Sequence, residues 1–315
     1  MWQALLPALL AGDPKALARS ISLVENEVPG YEAFLAALPP HSGAKIIGLT
    51  GPPGAGKSTL ADALVKELVR DNKRIGVLCV DPSSPFHFGA VLGDRIRLSD
   101  WYLHPSVFIR SLATRGSLGG LSSKIIEITS LLKAAPFDYI LVETVGVGQS
   151  EVEIAGLADV TVVVLVPEGG DAVQTMKAGL MEIADVFVVN KSDRPGSDAF
   201  VNDLHQMLAP AFSNKDNAPA IIKTAAAEGT GITTLYEELK KLAGEGRPNE
   251  KQAWLLAERA YQLIQQKRMN GIDRQALAQQ IAAEENFNLY RFVLAFTASD
   301  PIAGNIEKTG RNVTP

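Results

Sequence analysis

Short apolar strands alternating with amphipathic helices predict an α/β fold, a mostly parallel sheet flanked by helices, with helical N- and C-terminal extensions. Three observations carry this. The runs KIIGLT (45–50), RIGVLCV (74–80), YILVE (139–143), VTVVVLV (160–166), DVFVVN (185–190) and AIIKT (220–224) are apolar on both faces, as strands covered on both sides must be. Helical periodicity fills the intervals at 58–72, 122–134, 172–183 and 199–209, and resumes at 232–243. The first strand runs into a glycine-rich turn that opens a helix.

The flanks follow from capping and turn chemistry. Asp13 is placed to cap a helix with Pro14 at its first position and ALARSISLVENE behind it. Pro39, Pro40, Ser42 and Gly43 then break the helical pattern. Gly244, Glu245, Gly246, Arg247 and Pro248 form a second turn cluster, followed by the helical stretches EKQAWLLAERAYQLIQQKRM and RQALAQQIAAEENF and a polar tail from Thr297. The expected division is 1–43, an N-terminal helical extension; 44–244, the α/β domain; and 245–315, a C-terminal helical extension.

Composition narrows the function classes. The 315 residues are 46% hydrophobic and carry a net charge of −5, with basic residues scattered singly, which argues against a nucleic-acid partner. No run approaches the roughly 18–20 apolar residues that span a bilayer. The start, MWQALLPALLAGDP, lacks a basic segment and is broken by Pro7, unlike a secretory signal. The single cysteine, Cys79, sits in an apolar strand and reads as a buried thiol in a reducing compartment. These features together predict a cytoplasmic protein.

Gly51, Pro52, Pro53, Gly54, Ala55, Gly56, Lys57, Ser58 and Thr59 match G-x-x-x-x-G-K-[S/T], after a strand and before a helix, the setting of a P-loop NTPase. The glycines let main-chain N–H groups and the helix N-terminus face phosphate oxygens. Lys57 is expected to reach the β- and γ-phosphates, and the Ser58 hydroxyl to ligate Mg²⁺.

Asn190, Lys191, Ser192 and Asp193 close a strand as N-K-x-D. Guanine presents N1–H and N2–H₂ donors together, which one carboxylate accepts as a pair. Adenine does not, so a buried Asp193 would be left unpaired by ATP. Lys191 would lie along the base and Asn190 would brace the loop. Ala225, Ala226 and Ala227 follow AIIKT, where a backbone N–H can meet the guanine oxygen; a plain turn is the other reading of that segment. GTP is therefore favoured over ATP.

Two acids end strands on the same predicted edge, Asp81 after RIGVLCV and Glu143 after YILV. Glu143, Thr144, Val145 and Gly146 read as E-x-x-G, a metal-holding carboxylate followed by a glycine whose N–H senses the γ-phosphate. Asp81 and Asp94 are each able to bind metal-bound water or orient the attacking water; for Asp94 a surface turn is an equal reading. Gln149 is a further water-positioning candidate. Arg95, Arg97, Arg110 and Arg115 are arginine-finger candidates with nothing to separate them, so hydrolysis is expected to be slow without a partner.

These motifs resemble the MeaB/ArgK-type GTPases, chaperones of adenosylcobalamin-dependent acyl-CoA mutases such as methylmalonyl-CoA mutase. The resemblance covers roughly 15–245 and rests on LARSISLVENE, TGPPGAGKSTL, VDPSSP, LGDRIRLSD, RGSLGGL, VETVGVGQSE, EGGDAVQTMKAGLMEIAD and NKSD. It implies that the phosphate loop, Asp81, Asp94 and Glu143 surround GTP/GDP and Mg²⁺. It further implies that Asp171, Gln174 and Lys177 couple nucleotide state to the mutase, and that the protein is a homodimer paired through its C-terminal helices. The stretch SPFHFGAVLGDRIR is bulkier than in relatives, and the tail after about 285 departs from the family pattern. A nickel-insertion GTPase would need paired Cys/His ligands, whereas His41, His87, His104 and His205 are dispersed. A small-molecule kinase would need a lid and an acceptor pocket. A binding module with a dead nucleotide site sits poorly with Lys57, Ser58 and Glu143.

Overall fold

The computed structural model describes residues 1–39, 43–81, 95–114, 121–146, 150–167, 178–210, 218–245, 250–269, 272–284 and 287–298. The chain divides into two compact units, Met1–Ala257 and Glu258–Pro315.

The first unit is built on seven strands: β1 (Lys45–Thr50), β2 (Ile75–Asp81), β3 (Val107–Ala113), β4 (Tyr139–Glu143), β5 (Val160–Leu165), β6 (Val186–Val189) and β7 (Ala220–Lys223). All adjacent pairs are parallel, in the order β3-β2-β4-β1-β5-β6-β7. β1 is central, with β4 and β5 on either side. Their carboxyl ends, where the chain leaves in different directions, form the crevice in which α/β folds place ligands. Six strands coincide with the expected runs. β3 is additional: VFIRSLA carries Arg110 at its middle, and the edge position tolerates that interruption.

Helices α1 (Trp2–Leu10), α2 (Pro14–Glu25) and α3 (Tyr31–Ala36) precede the sheet. Asp13 caps α2 as its side chain accepts from the N–H groups of Lys15 and Ala16. The three helices do not stand apart. Leu9, Leu17, Ile21, Val24 and Phe34 share one core layer with α5 (Ile125–Ala134) and the faces of β2 and β4. Ion pairs reinforce the join: Arg110 to Glu25 at 2.6 Å and Lys124 to Glu27 at 2.7 Å. The opposite face is covered by α4 (Lys57–Arg70) and α9 (Ile232–Gly244). A third layer joins α6 (Ser150–Leu157), α7 (Ala178–Ile183) and α8 (Ser197–Leu208) to β5 and β6. The 172–177 part of one expected helix lies outside the described residues. Cys79, the chain's single cysteine, is buried in β2. Among the described residues no helix is long and apolar enough to cross a membrane.

Helix α10 (Glu250–Met269) begins in the first unit and continues into the second. There follow α11 (Arg274–Ala283), capped by Asp273, and α12 (Leu289–Ala298), where Phe287, Phe292 and Phe296 are in ring contact.

Candidate nucleotide site

The turn after β1 is shaped by its glycines. Gly56 has φ 87° and begins α4 from a left-handed conformation, so the next N–H groups turn inward at the positive end of the helix. A side chain at Gly56 would strike the Asn190 amide. The Lys57 ammonium is drawn back over the turn, donating to the carbonyl oxygens of Gly51 (2.9 Å) and Pro52 (3.1 Å). Ser58, in the first turn of α4, donates its hydroxyl to Glu143 Oε1 at 2.6 Å. Lys57, Ser58, Asp81 and Glu143 are all buried.

Register explains why the acids meet the loop. Glu143 pairs with Leu49 on β1 and Cys79 on β2, so it stands one residue below the point where β1 becomes the turn. Asp81 ends β2, opposite Ala113 of β3. Gly146, at φ 84°, crosses so close to the turn that a Cβ there would collide with the Gly51 carbonyl and the Lys57 ammonium. A cleft of about 390 Å³ opens between these groups, lined by Pro53, Lys57, Ser58, Glu143 and Lys191 among others.

Asn190 is the hinge pin of the arrangement. It is buried, donates its amide to Ala55 O (2.9 Å), and its Oδ1 accepts from Thr224 Oγ1 and Ala226 N, each at 3.1 Å. Three segments far apart in sequence are thus held by one side chain. The next residue, Lys191, has φ 55°, a left-handed conformation uncommon for a residue with a side chain and often tied to function. It turns the chain so that Lys191 lines the cleft while Asp193 stands exposed. The burial expected of Asp193 therefore has to come from whatever base covers it.

The alanine segment is more constrained than its sequence indicated. Ala226 N is committed to Asn190, and Ala225 N donates to Thr230 O (3.1 Å) across an isolated bridge. Thr224 and the hydroxyl contact of Thr144 with Thr50 (3.1 Å) also belong to the site's frame and were not read from the sequence. A hydroxyl residue at the carboxyl end of a strand was their only signal. Arg110 is engaged with Glu25 and with Ser22 Oγ (3.1 Å) in α2. Asp94, Arg115, Gln149, Asp171, Gln174 and Lys177 lie outside the described residues. Arg95 opens a short 3-10 turn, Arg95–Trp101, that includes Arg97. His104 lies in the loop before β3 and His205 in α8, and His41 and His87 lie outside the described residues.

The donor set around Ser58 suits a hard divalent cation: a hydroxyl and a carboxylate already within 2.6 Å, with a second acid ending the neighbouring strand, all oxygen. Among the described residues no cluster of three His, Cys, Asp or Glu is assembled, so such an ion would also depend on phosphate and water oxygens.

Known proteins resemble this chain. The family profile described as methylmalonyl Co-A mutase-associated GTPase MeaB matches residues 17–281. A Pyrococcus horikoshii protein named as a GTPase is 49% identical over 241 residues, 75% of this chain and 76% of that one. GTPase ArgK of Escherichia coli is 36% identical over 240 residues, 73% and 72% of the two chains. The Mus musculus protein named methylmalonic aciduria type A homolog, mitochondrial, is 37% identical over 199 residues, 62% of this chain and 48% of that one. The crystal structure of an LAO/AO transport system kinase superposes with a TM-score of 0.65 at 25% identity, covering 96% of this chain and 94% of that one. With a profile match over most of its length and relatives named as GTPases, the chain belongs to the MeaB family of methylmalonyl-CoA mutase-associated GTPases.

Proposed function

We propose that this GTPase holds GTP with its phosphates on residues 51–59 and its base against Lys191 and Asp193, and that slow hydrolysis times its assistance to a cobalamin-dependent acyl-CoA mutase. The observation that carries the reading is the Asn190 bridge: a phosphate-cradling turn and a base-reading turn are tied into one rigid piece. The Lys57 ammonium, now on loop carbonyls, exchanges those contacts for phosphate oxygens and offsets charge that builds on the leaving and transferred groups. Gly146, which packs beside Lys57, is the glycine whose N–H would meet the γ-phosphate. Asp193 accepts both guanine donors, and Ala227 supplies a main-chain N–H for the guanine oxygen, those of Ala225 and Ala226 being already engaged.

Ser58 and Glu143, with Asp81 and Asp94 through water, are the residues for Mg²⁺, which when bound neutralises phosphate charge. No arginine is assigned to the transition state, so turnover awaits a partner. In this reading the mutase is that partner, Asp171, Gln174 and Lys177 report nucleotide state to it, and the cycle governs cofactor loading and protection. The protein acts as a cytoplasmic homodimer, with 1–43, 44–244 and 245–315 as its functional divisions.

The test is base exchange. Asp193→Asn should weaken GTP about 100-fold or more while improving xanthosine triphosphate, whose extra carbonyl accepts from the new amide. Calorimetry that finds ATP bound as tightly as GTP by the unmodified protein, or no change in base preference in the variant, overturns the reading.

A further inference from the structure

Helix α6 starts at Ser150, four residues after Gly146, the glycine that crosses over Lys57. It is therefore the first rigid element to feel any movement of that glycine as phosphate arrives or leaves. On one side it is pressed against the sheet: a Cβ on Gly48 of β1 would meet Ile154 and, at 3.1 Å, Ala158 Cβ. On the other side it meets the opening turns of α10. A Cβ on Gly156 would lie 2.8 Å from Leu255 Cβ and 3.0 Å from the Lys251 carbonyl oxygen. At this point of contact the two helices touch without a side chain on Gly156 between them, so if α6 shifts, α10 follows or the contact opens.

A second tether acts on the same turns. The Lys251 ammonium donates to the Glu182 carbonyl at 2.7 Å, at the carboxyl end of α7, where a cation complements the helix dipole. α7 is buried against α6 and β6 through Leu180 and Ile183 beside Ala155 and Phe187. Thus α10 grips both helices that follow the chain segments after β4 and β5, the two strands flanking the phosphate-loop strand. Beyond Ala257 the same helix runs on into the second unit. Leu255 is also held from below, packed on the layer formed by α2, α5 and α6.

We propose that the first two turns of α10 are the output element of the nucleotide site. They read the position of α6 through the Gly156–Leu255 crossing and that of α7 through Lys251. This rests on the GTPase reading and adds to it Gly156, Lys251 and Leu255 as positioning residues that touch no nucleotide.

Hydrogen exchange of the 250–257 amides, measured on the full chain with GDP and with a non-hydrolysable GTP analogue plus Mg²⁺, tests it. The two states should differ about fivefold in the unmodified protein, equivalent to about 1 kcal/mol at 1.4 kcal/mol per tenfold. Gly156→Ala should erase the difference and leave GTP affinity and basal hydrolysis within about twofold. Lys251→Met, which removes a surface hydrogen bond without adding bulk, should reduce it and serves if Gly156→Ala fails to fold. Equal exchange in both states of the unmodified protein, with nucleotide shown to be bound, overturns the proposal. So does a difference that persists undiminished in the variants. Failure to bind nucleotide at all instead overturns the GTPase reading beneath it.

Discussion

Asn190→Ala is the most informative single perturbation of this protein. The side chain is buried and makes three hydrogen bonds, one donated to Ala55 and two accepted, from Thr224 and Ala226. Truncation strands a carbonyl, an amide and a hydroxyl away from water. At about 1–3 kcal/mol per stranded group, reduced by rotation of the threonine hydroxyl and local relaxation, the loss is about 3 kcal/mol. That is a sizeable share of a typical stability of about 5–15 kcal/mol. At about 2–4 °C per kcal/mol for a chain of this size, the melting temperature should fall by about 6–12 °C. Because the same bonds hold the phosphate and base turns in register, GTP affinity should fall as well, by about 100-fold for a comparable loss. Calorimetric unfolding with and without GTP measures both. A melting shift under about 2 °C together with GTP affinity within about twofold would refute the claim that Asn190 joins the two halves.

Ser58→Ala removes the hydroxyl that meets Glu143 at 2.6 Å and should raise the Mg²⁺ concentration for half-maximal hydrolysis about tenfold or more; an unchanged Mg²⁺ titration counts against Ser58 as a ligand. Gly146→Ala forces a side chain into a left-handed position beside the Gly51 carbonyl and Lys57. It should cost about 1–2 kcal/mol of stability and remove the preference for the GTP analogue over GDP, read by competitive binding of the two. Glu153 in α6 has its carboxyl pushed above the usual range by burial. The folded state then holds that proton more tightly than the unfolded chain does, so stability falls as pH rises from the ordinary carboxylate value through the raised one. Glu153→Gln should therefore stabilise the protein at about pH 7 and give no gain at about pH 3.5, below both values; denaturant titrations giving an equal gain at both would be the contrary result.

Much of the architecture was legible because it depends on local pattern. Strands apolar on both faces, the Asp13–Pro14 cap and the glycine-rich turn each leave a signature a few residues long, and the structure places them where those signatures stand. Two elements were not legible for the same reason. β3 carries Arg110 in its centre, which breaks the apolar run, and its partners there, Glu25 and Ser22, are more than 80 residues away in sequence. α6, SEVEIAGL, has no polar face because it is enclosed by the sheet on one side and α10 on the other, so helical periodicity is absent from it. The N-terminal helices were readable as helices but not as part of the core they complete.

By itself the sequence determined which residue types were available: a glycine-rich turn with Lys57 and Ser58, acids at the ends of strands, and the N-K-x-D tetrapeptide 190–193. Such signals reside in residue types at short spacings, which survive without coordinates. Only the tertiary structure decided how the groups meet. The strand order puts β4 and β2 beside β1 and so brings Glu143 to Ser58, and Asn190 closes a link across 135 residues of chain. The physical reason is that parallel pairing and buried hydrogen bonds are satisfied by partners remote in sequence, so their choice is settled by the packing of the whole sheet and not by the residues on either side of each motif.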